Sequence, residues 1–183
     1  LEKGVKYIIK PLFEDASVGI DEHSIVTSDD LSVIAEYKQK YNDKFFIEEF
    51  IEGREFNVSV MATPEGPKML CPAEMQFHNY PDGKPKIMGY TAKWTEGAFE
   101  YENTRRTFDF HENDKDLLNE IEKIVLKCWK VLNLRGYARV DFRVDKNNKP
   151  YVLEINANPC ISSDSGFYVA AQKSGYDFTQ VMK

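Results

Sequence analysis

Two neighbouring stretches decide the reading of this chain: Gly136–Val144, GYARVDFRV, and Pro150–Pro159, PYVLEINANP. Both are rich in aromatic and β-branched residues and both alternate, so each reads as a strand. Asp145-Lys146-Asn147-Asn148-Lys149 between them is a polar connector of hairpin type. Side chains two apart on a strand share a face. Arg139 and Asp141 therefore point the same way, as do Glu154 and Asn156. If the strands pair, an Asp, a Glu and an Asn converge beside an Arg. Carboxylate and amide oxygens are hard ligands suited to Mg²⁺ that bridges nucleotide phosphates. The same residues could be outward polar positions of a half-exposed hairpin. The apolar neighbours Val140, Phe142, Val152, Leu153 and Ile155, and the abrupt Asn156-Ala157-Asn158-Pro159 exit, argue for the site.

Working outward, Leu117, Leu118, Ile121, Ile124, Val125, Cys128, Trp129 and Leu132 form one apolar stripe of a long helix, with Asn113 or Asp114 as its cap. Glu55–Ala62 alternates as a strand, Pro64-Glu65-Gly66-Pro67 is a turn, and a short strand follows near Lys68–Cys71. Met75–Arg106 reads as mostly irregular, punctuated at Pro81-Asp82-Gly83. Towards the N-terminus, Val5–Lys10 is a strand stopped by Pro11, and Ser24–Val26 is another. Ser28-Asp29-Asp30 caps a helix carrying Leu31, Ile34, Ala35 and Tyr41, and Phe45–Ile51 is a strand. A last helix spans Gly166–Ser174 and ends at Gly175. Two lobes are expected, residues 1–51 and 52–183, with a hinge near Glu52-Gly53. The first holds few strands and reads as truncated at its N-terminus.

Composition narrows the class. The chain has 183 residues, 42% hydrophobic and 30% charged, which is globular. Its net charge of −6, from 24 basic and 30 acidic residues, leaves no electrostatic footprint for nucleic acid. No run approaches the roughly 18 apolar residues of a membrane span, and no secretory signal opens the chain. Cys71, Cys128 and Cys160 are widely spaced with no C-x-x-C, which favours a reducing, cytoplasmic setting over a disulfide frame.

The pattern R-x-D followed by L-E-I-N-x-N-P resembles the metal site of ATP-grasp enzymes, and in detail the D-alanine–D-alanine ligase branch. The resemblance runs in order along essentially the whole chain. It implies an α+β ATP-grasp fold, two α+β lobes with nucleotide and metals bound between them, truncated at the N-terminus. It further implies that Asp141, Glu154 and Asn156 hold Mg²⁺, as a pair of ions with Mn²⁺ as the alternative, and that Arg139 stabilises charge on the tetrahedral intermediate. Lys10 is similar to the family lysine that reaches the ATP phosphates, and Glu14–Gly19, with Ser17, to the small-residue loop that closes over them. That loop is not a Walker A sequence. Glu48, Glu49, Phe50 and Ile51 resemble the strand beside adenine, Glu55 the ribose-binding carboxylate, and Lys93 the second phosphate-facing lysine. Read without the resemblance, Lys10 is a solvated strand end, Glu48 and Glu49 mark an edge strand, and Lys93 is an ordinary loop lysine.

The implied chemistry is ATP-dependent ligation. ATP phosphorylates a small-molecule carboxylate, and an amino-acid-like amine attacks the acyl phosphate to give an amide and ADP. Ser165, at a helix N-terminus, falls where the family binds the acceptor's carboxylate. Two positions depart from the family. Cys160 replaces a glycine of the oxyanion site, and Asp164 replaces a histidine, so a carboxylate there repels a carboxylate or recruits a cation. The resemblance also implies a missing N-terminal domain of the same polypeptide, and a homodimer is one candidate assembly. The alternatives are a non-catalytic ATP-grasp nucleotide-binding module and an ATP-grasp ligase acting on a larger metabolite.

Overall fold

In the computed structural model, described here for residues 1–182, the chain divides into two compact units. The first comprises Leu1–Glu52 and Phe77–Arg105, the second Gly53–Gln76 and Arg106–Lys183. The polypeptide thus leaves the first unit, returns to it and leaves again.

The second unit is built on a six-stranded sheet containing β4 (Arg54–Thr63), β5 (Gly66–Met69), β6 (Ala73–Phe77), β7 (Thr104–Thr107), β8 (Tyr137–Val144) and β9 (Pro150–Asn156). The strand order is β7-β6-β4-β8-β9, with β5 pairing the far end of β4. β4 and β8 run antiparallel over their length, Arg54 opposite Val144 and Met61 opposite Tyr137. β8 and β9 form the expected hairpin, with a register shift between Asp141 and Phe142.

Alternation sorts this sheet into two chemistries. Phe56, Val58 and Val60 of β4 and Ala138, Val140, Phe142 and Val144 of β8 are fully buried on one face. Against them lies helix α4 (Lys115–Val131), whose Leu117, Ile121 and Val125 complete the core. The apolar stripe of α4 is what makes it a helix here: burying each such side chain is worth about 1.5–3 kcal/mol, far more than intrinsic propensity supplies. Helix α5 (Gly166–Lys173) builds a smaller cluster in which Phe167, Ala170 and Ala171 meet Met61 and Leu70.

The first unit has a three-stranded sheet, β2 (Ile25–Val26), β1 (Tyr7–Pro11) and β3 (Phe45–Glu49) in that order, with helix α1 (Leu31–Tyr41) closing the chain between β2 and β3. Ile9, Val26 and Tyr37 form its core.

Several expectations shift. Residues 75–106 are less irregular than their composition suggests. They contribute the end of β6, the short helices α2 (Tyr90–Trp94) and α3 (Phe99–Glu102), and most of β7. These elements are too short to develop a periodicity that a sequence window detects. A last short helix, α6 (Phe178–Val181), was equally invisible. Asp114 occupies the N-cap of α4 but makes no side-chain cap bond. Its carboxylate is taken by Arg54, at 2.5 Å, and Arg54 also holds Glu74 at 2.7 and 2.8 Å. Bonding to Glu74, opposed by burial and reinforced by Asp114, lifts the Arg54 guanidinium above its usual range. The same bond to Arg54 holds the Asp114 carboxyl below the usual carboxylate range. Asp30 likewise makes no side-chain cap bond to α1 and accepts instead from the Thr27 amide at 2.7 Å.

Because the α4 stripe carries the core, Ile121→Ala is expected to destabilise the protein by about 2–5 kcal/mol in chemical denaturation, while Lys123→Ala on the outer face stays within about 0.5 kcal/mol.

Candidate functional site

The face of the second sheet opposite α4 gathers its polar residues. Glu55, Asn57 and Ser59 on β4 stand opposite Arg143, Asp141 and Arg139 on β8, in that order. β9 adds Glu154 opposite Asp141 and Asn156 opposite Arg139, so the four residues singled out by alternation do converge. Regular alternation up to this point keeps Glu154 on the polar face while Ile155, opposite Val140, packs into the core, and the register shifts only beyond it, where Val152 stands opposite Phe142.

Arg139 lays its fork on Asp141, Nε to Oδ1 at 2.7 Å and Nη2 to Oδ2 at 2.8 Å, and reaches Glu154 Oε1 at 3.7 Å. Burial pulls the Arg139 guanidinium down, but the Asp141 bond and the charges of Asp141, Glu154 and Glu55 together lift it above its usual value. Asp141 is buried, whereas the Glu154 side chain is 60% exposed. Asn156 Oδ1 accepts from the Asn158 amide at 2.9 Å, which fixes the turn leaving the strand.

These donors fit Mg²⁺. Among the described residues no group of three or more His, Cys, Asp and Glu side chains converges on one point. The set is two carboxylates and one amide oxygen, which is what Mg²⁺ takes when it keeps waters and substrate phosphates for its other positions. Asp141 and Glu154 would hold it, with Asn156 beside them.

At the end of the same sheet Ser165 caps α5, its Oγ accepting from the Tyr168 amide at 3.2 Å. Asp164 accepts from the Ser162 hydroxyl at 2.7 Å, and Cys160 Sγ lies 3.2 Å from Ser162 Oγ. Ser162, by side-chain and backbone hydrogen bonds, draws the exposed Cys160 thiol below its usual value. Burial raises Cys71 and Cys128.

In the first unit Lys10 on β1 forms an ion pair with Glu48 on β3. The strands are antiparallel with Ile8 opposite Glu48, so the lysine reaches diagonally across the pair. Glu49 stands opposite Tyr7 at the end of the same ladder, and Ile51 follows two residues later. Glu55 belongs to the other unit.

The loop containing Ser17 is strapped by backbone contacts. Ala16 and Ser17 both have positive φ, 51° and 66°. Ser17 Oγ donates to the Met88 carbonyl at 2.8 Å, Trp94 Nε1 donates to the Ala16 carbonyl at 3.0 Å, and the Tyr90 amide donates to the Ile20 carbonyl at 3.0 Å. Lys93, half-buried in the last turn of α2, rides on the strap that makes these bonds. Nearby, Lys84 pairs with Glu22 and Glu100, both at 2.7 Å, at a cavity of about 220 Å³ that also touches His23, Tyr80 and Thr91.

Sequence reasoning stopped at Arg139 and Asp141 on β8, although the same alternation continues to Arg143. That residue is buried and pairs with Glu55 across the ladder, Nη1 to Oε2 at 3.2 Å. The R-x-D-x-R spacing was the available signal.

An antiparallel sheet with one face packed on α4 and the other lined by Arg, Asp, Glu and Asn, in a chain that also carries a smaller three-stranded unit, is the ATP-grasp fold. The chain belongs to the D-ala D-ala ligase C-terminus family, which matches residues 2–183. It is 31% identical over 179 residues to a D-alanine–D-alanine ligase of Aquifex aeolicus (strain VF5), covering 96% of this chain and 53% of the relative. To the ligase of Rickettsia akari (strain Hartford) it is 33% identical over 178 residues, covering 96% and 50%. The chain therefore spans about half the length of these relatives. Among solved structures, the D-alanine–D-alanine ligase from Bacillus anthracis superposes with a TM-score of 0.71 at 24% identity, over 98% of this chain and 52% of that one. The same enzyme complexed with ATP gives 0.68 at 23%, over 98% and 50%. The D-Ala:D-Ser ligase VanG from Enterococcus faecalis gives 0.70 at 19%, over 98% and 48%. At these identities the structural likeness establishes the fold.

The thiol chemistry is directly testable. Alkylation with iodoacetamide near neutral pH is expected to label Cys160 before Cys71 and Cys128, since the thiolate is the reactive form. Ser162→Ala should slow labelling of Cys160 alone, as read by peptide mass spectrometry.

Proposed function

We propose that this chain is the nucleotide- and metal-binding portion of an ATP-dependent carboxylate–amine ligase that forms ADP, of the D-alanine–D-alanine ligase type. The observation that carries this reading is the convergence of Arg139, Asp141, Glu154 and Asn156 on one face of the β8–β9 hairpin. Asp141 and Glu154, with Asn156, would hold Mg²⁺, which when bound would offset phosphate charge and orient the transferring group. Arg139, always cationic, turns from Asp141 towards negative charge that develops on the acyl centre. Lys10 and Lys93 meet phosphate oxygens, and the Ser17 loop covers them. Glu48 and the backbone of Glu49 and Ile51 read the adenine edge, and Glu55 accepts from the ribose.

The donor is a small carboxylic acid and the acceptor an amino-acid-like amine. Ser165 and the first turn of α5 receive the acceptor's carboxylate, through a hydroxyl and the helix dipole. Asp164 beside them disfavours a second anion and selects an acceptor with a cationic group, which separates this chain from a strict D-alanine preference. An N-terminal domain of the same polypeptide supplies the rest of the donor site, in a cytoplasmic enzyme for which a homodimer is one candidate assembly.

Calorimetric titration with a non-hydrolysable ATP analogue, with Mg²⁺ and again with EDTA, tests the core of this reading: binding should depend on magnesium. Asp141→Ala and Glu154→Ala should each weaken that binding about tenfold or more, whereas Glu65→Ala in the β4–β5 turn should leave it unchanged. Equal, small effects of all three would remove the site assignment.

A further inference from the structure

We infer that Arg143 is a positioning residue for the nucleotide ribose, acting through Glu55; this rests on the nucleotide reading above. Glu55 and Arg143 are direct partners in the β4–β8 register. Both are buried, with relative exposures of 7% and 3%. The guanidinium spans two anchors: Nη1 donates to Glu55 Oε2 and Nη2 donates to the Gly53 carbonyl oxygen, both at 3.2 Å. That second anchor is itself rigid. Gly53 has φ +146°, and a Cβ there would stand 1.9 Å from the Val144 carbonyl oxygen, so only glycine fits.

A glutamate side chain has three torsions, and burial disfavours its charged form. A facing guanidinium counters both effects, since it favours the carboxylate and selects one rotamer. A carboxylate offers about four lone-pair sites, so it takes hydroxyl donors alongside the guanidinium. The group it suits is a vicinal diol, two donors matched to two oxygens, and not a phosphate, which it repels. Along the strands, the Glu55–Arg143 pair lies two residues from Asp141 on the same polar face, so a nucleotide whose phosphates meet the metal donors extends its sugar along this row.

The experiment uses the intact protein and compares Mg-ATP with Mg-2′,3′-dideoxy-ATP by calorimetry. Wild type should prefer ATP by about tenfold or more, the size of effect of hydrogen bonds to a charged group. Glu55→Ala should abolish the preference. Arg143→Met should bring the ratio towards unity while affinity for the dideoxy nucleotide changes by less than about threefold. Arg143→Lys, which keeps charge but loses the fork, should restore part of the ratio. If Arg143→Met does not fold, a lowered ratio in Arg143→Lys is the required result. A ratio unchanged in the Arg143 variants but lost in Glu55→Ala, or an equal loss for both nucleotides, overturns the role of Arg143 alone. A wild type that binds both nucleotides equally overturns the ribose assignment of Glu55, and one that binds neither overturns the nucleotide reading itself.

Discussion

The antiparallel register of β4, β8 and β9 is the constraint on which the second unit depends. Because side chains alternate with a period of two, a slip of one residue would carry the valines and phenylalanines of β4 and β8 to the polar face and bury Asp141 and Arg139 under α4. The cost of that slip is the whole core: seven fully buried apolar side chains on the two strands meet Leu117, Ile121 and Val125 of the helix. Hydrophobic packing on one face therefore sets the position of every charged group on the other. The site's geometry is a consequence of core packing and needs no separate device to align it.

The charged face then manages its own electrostatics. Arg139 spans Asp141 and reaches Glu154, and Arg143 meets Glu55, so each buried carboxylate on this row faces a guanidinium across or along the sheet. Breaking such a pair by removing one member leaves a buried charge uncompensated, which costs more than the pair contributes to stability. The same logic appears on the α4 side, where Arg54 serves both Glu74 and Asp114. There the demand of the ion-pair cluster prevails over the local demand of the helix end, and Asp114 gives up its side-chain cap.

In the first unit, order comes from different sources. Its core is small, Ile9, Val26 and Tyr37, and the segment after Phe77 combines ring contacts of Tyr80 with Phe77 and Phe99 with side-chain and backbone links. Ser17, Trp94 and Tyr90 tie the loop at residues 16–20 to the strap at 88–94, and Lys84 ties that strap to Glu22 and Glu100. Regions held in this way open at lower free energy than a packed sheet.

The residues by themselves determined the strands β4, β8 and β9, the helix α4 and the alignment of Arg139 with Asp141 and of Glu154 with Asn156, because strong periodicity is a local property of the chain. Family membership was legible in the same short stretch, since R-x-D and L-E-I-N-x-N-P carry both the pleat and the donor chemistry. The elements of residues 75–106 were not legible: short helices and strands with at most two buried residues owe their form to neighbours far away in sequence. Nor could alternation alone show that Arg143 faces Glu55 across 88 residues, that Asp114 answers to Arg54 before its own helix, or that Lys10 is drawn to Glu48. Partner choice among charged side chains depends on strand register and burial, and both arise only when distant segments pack.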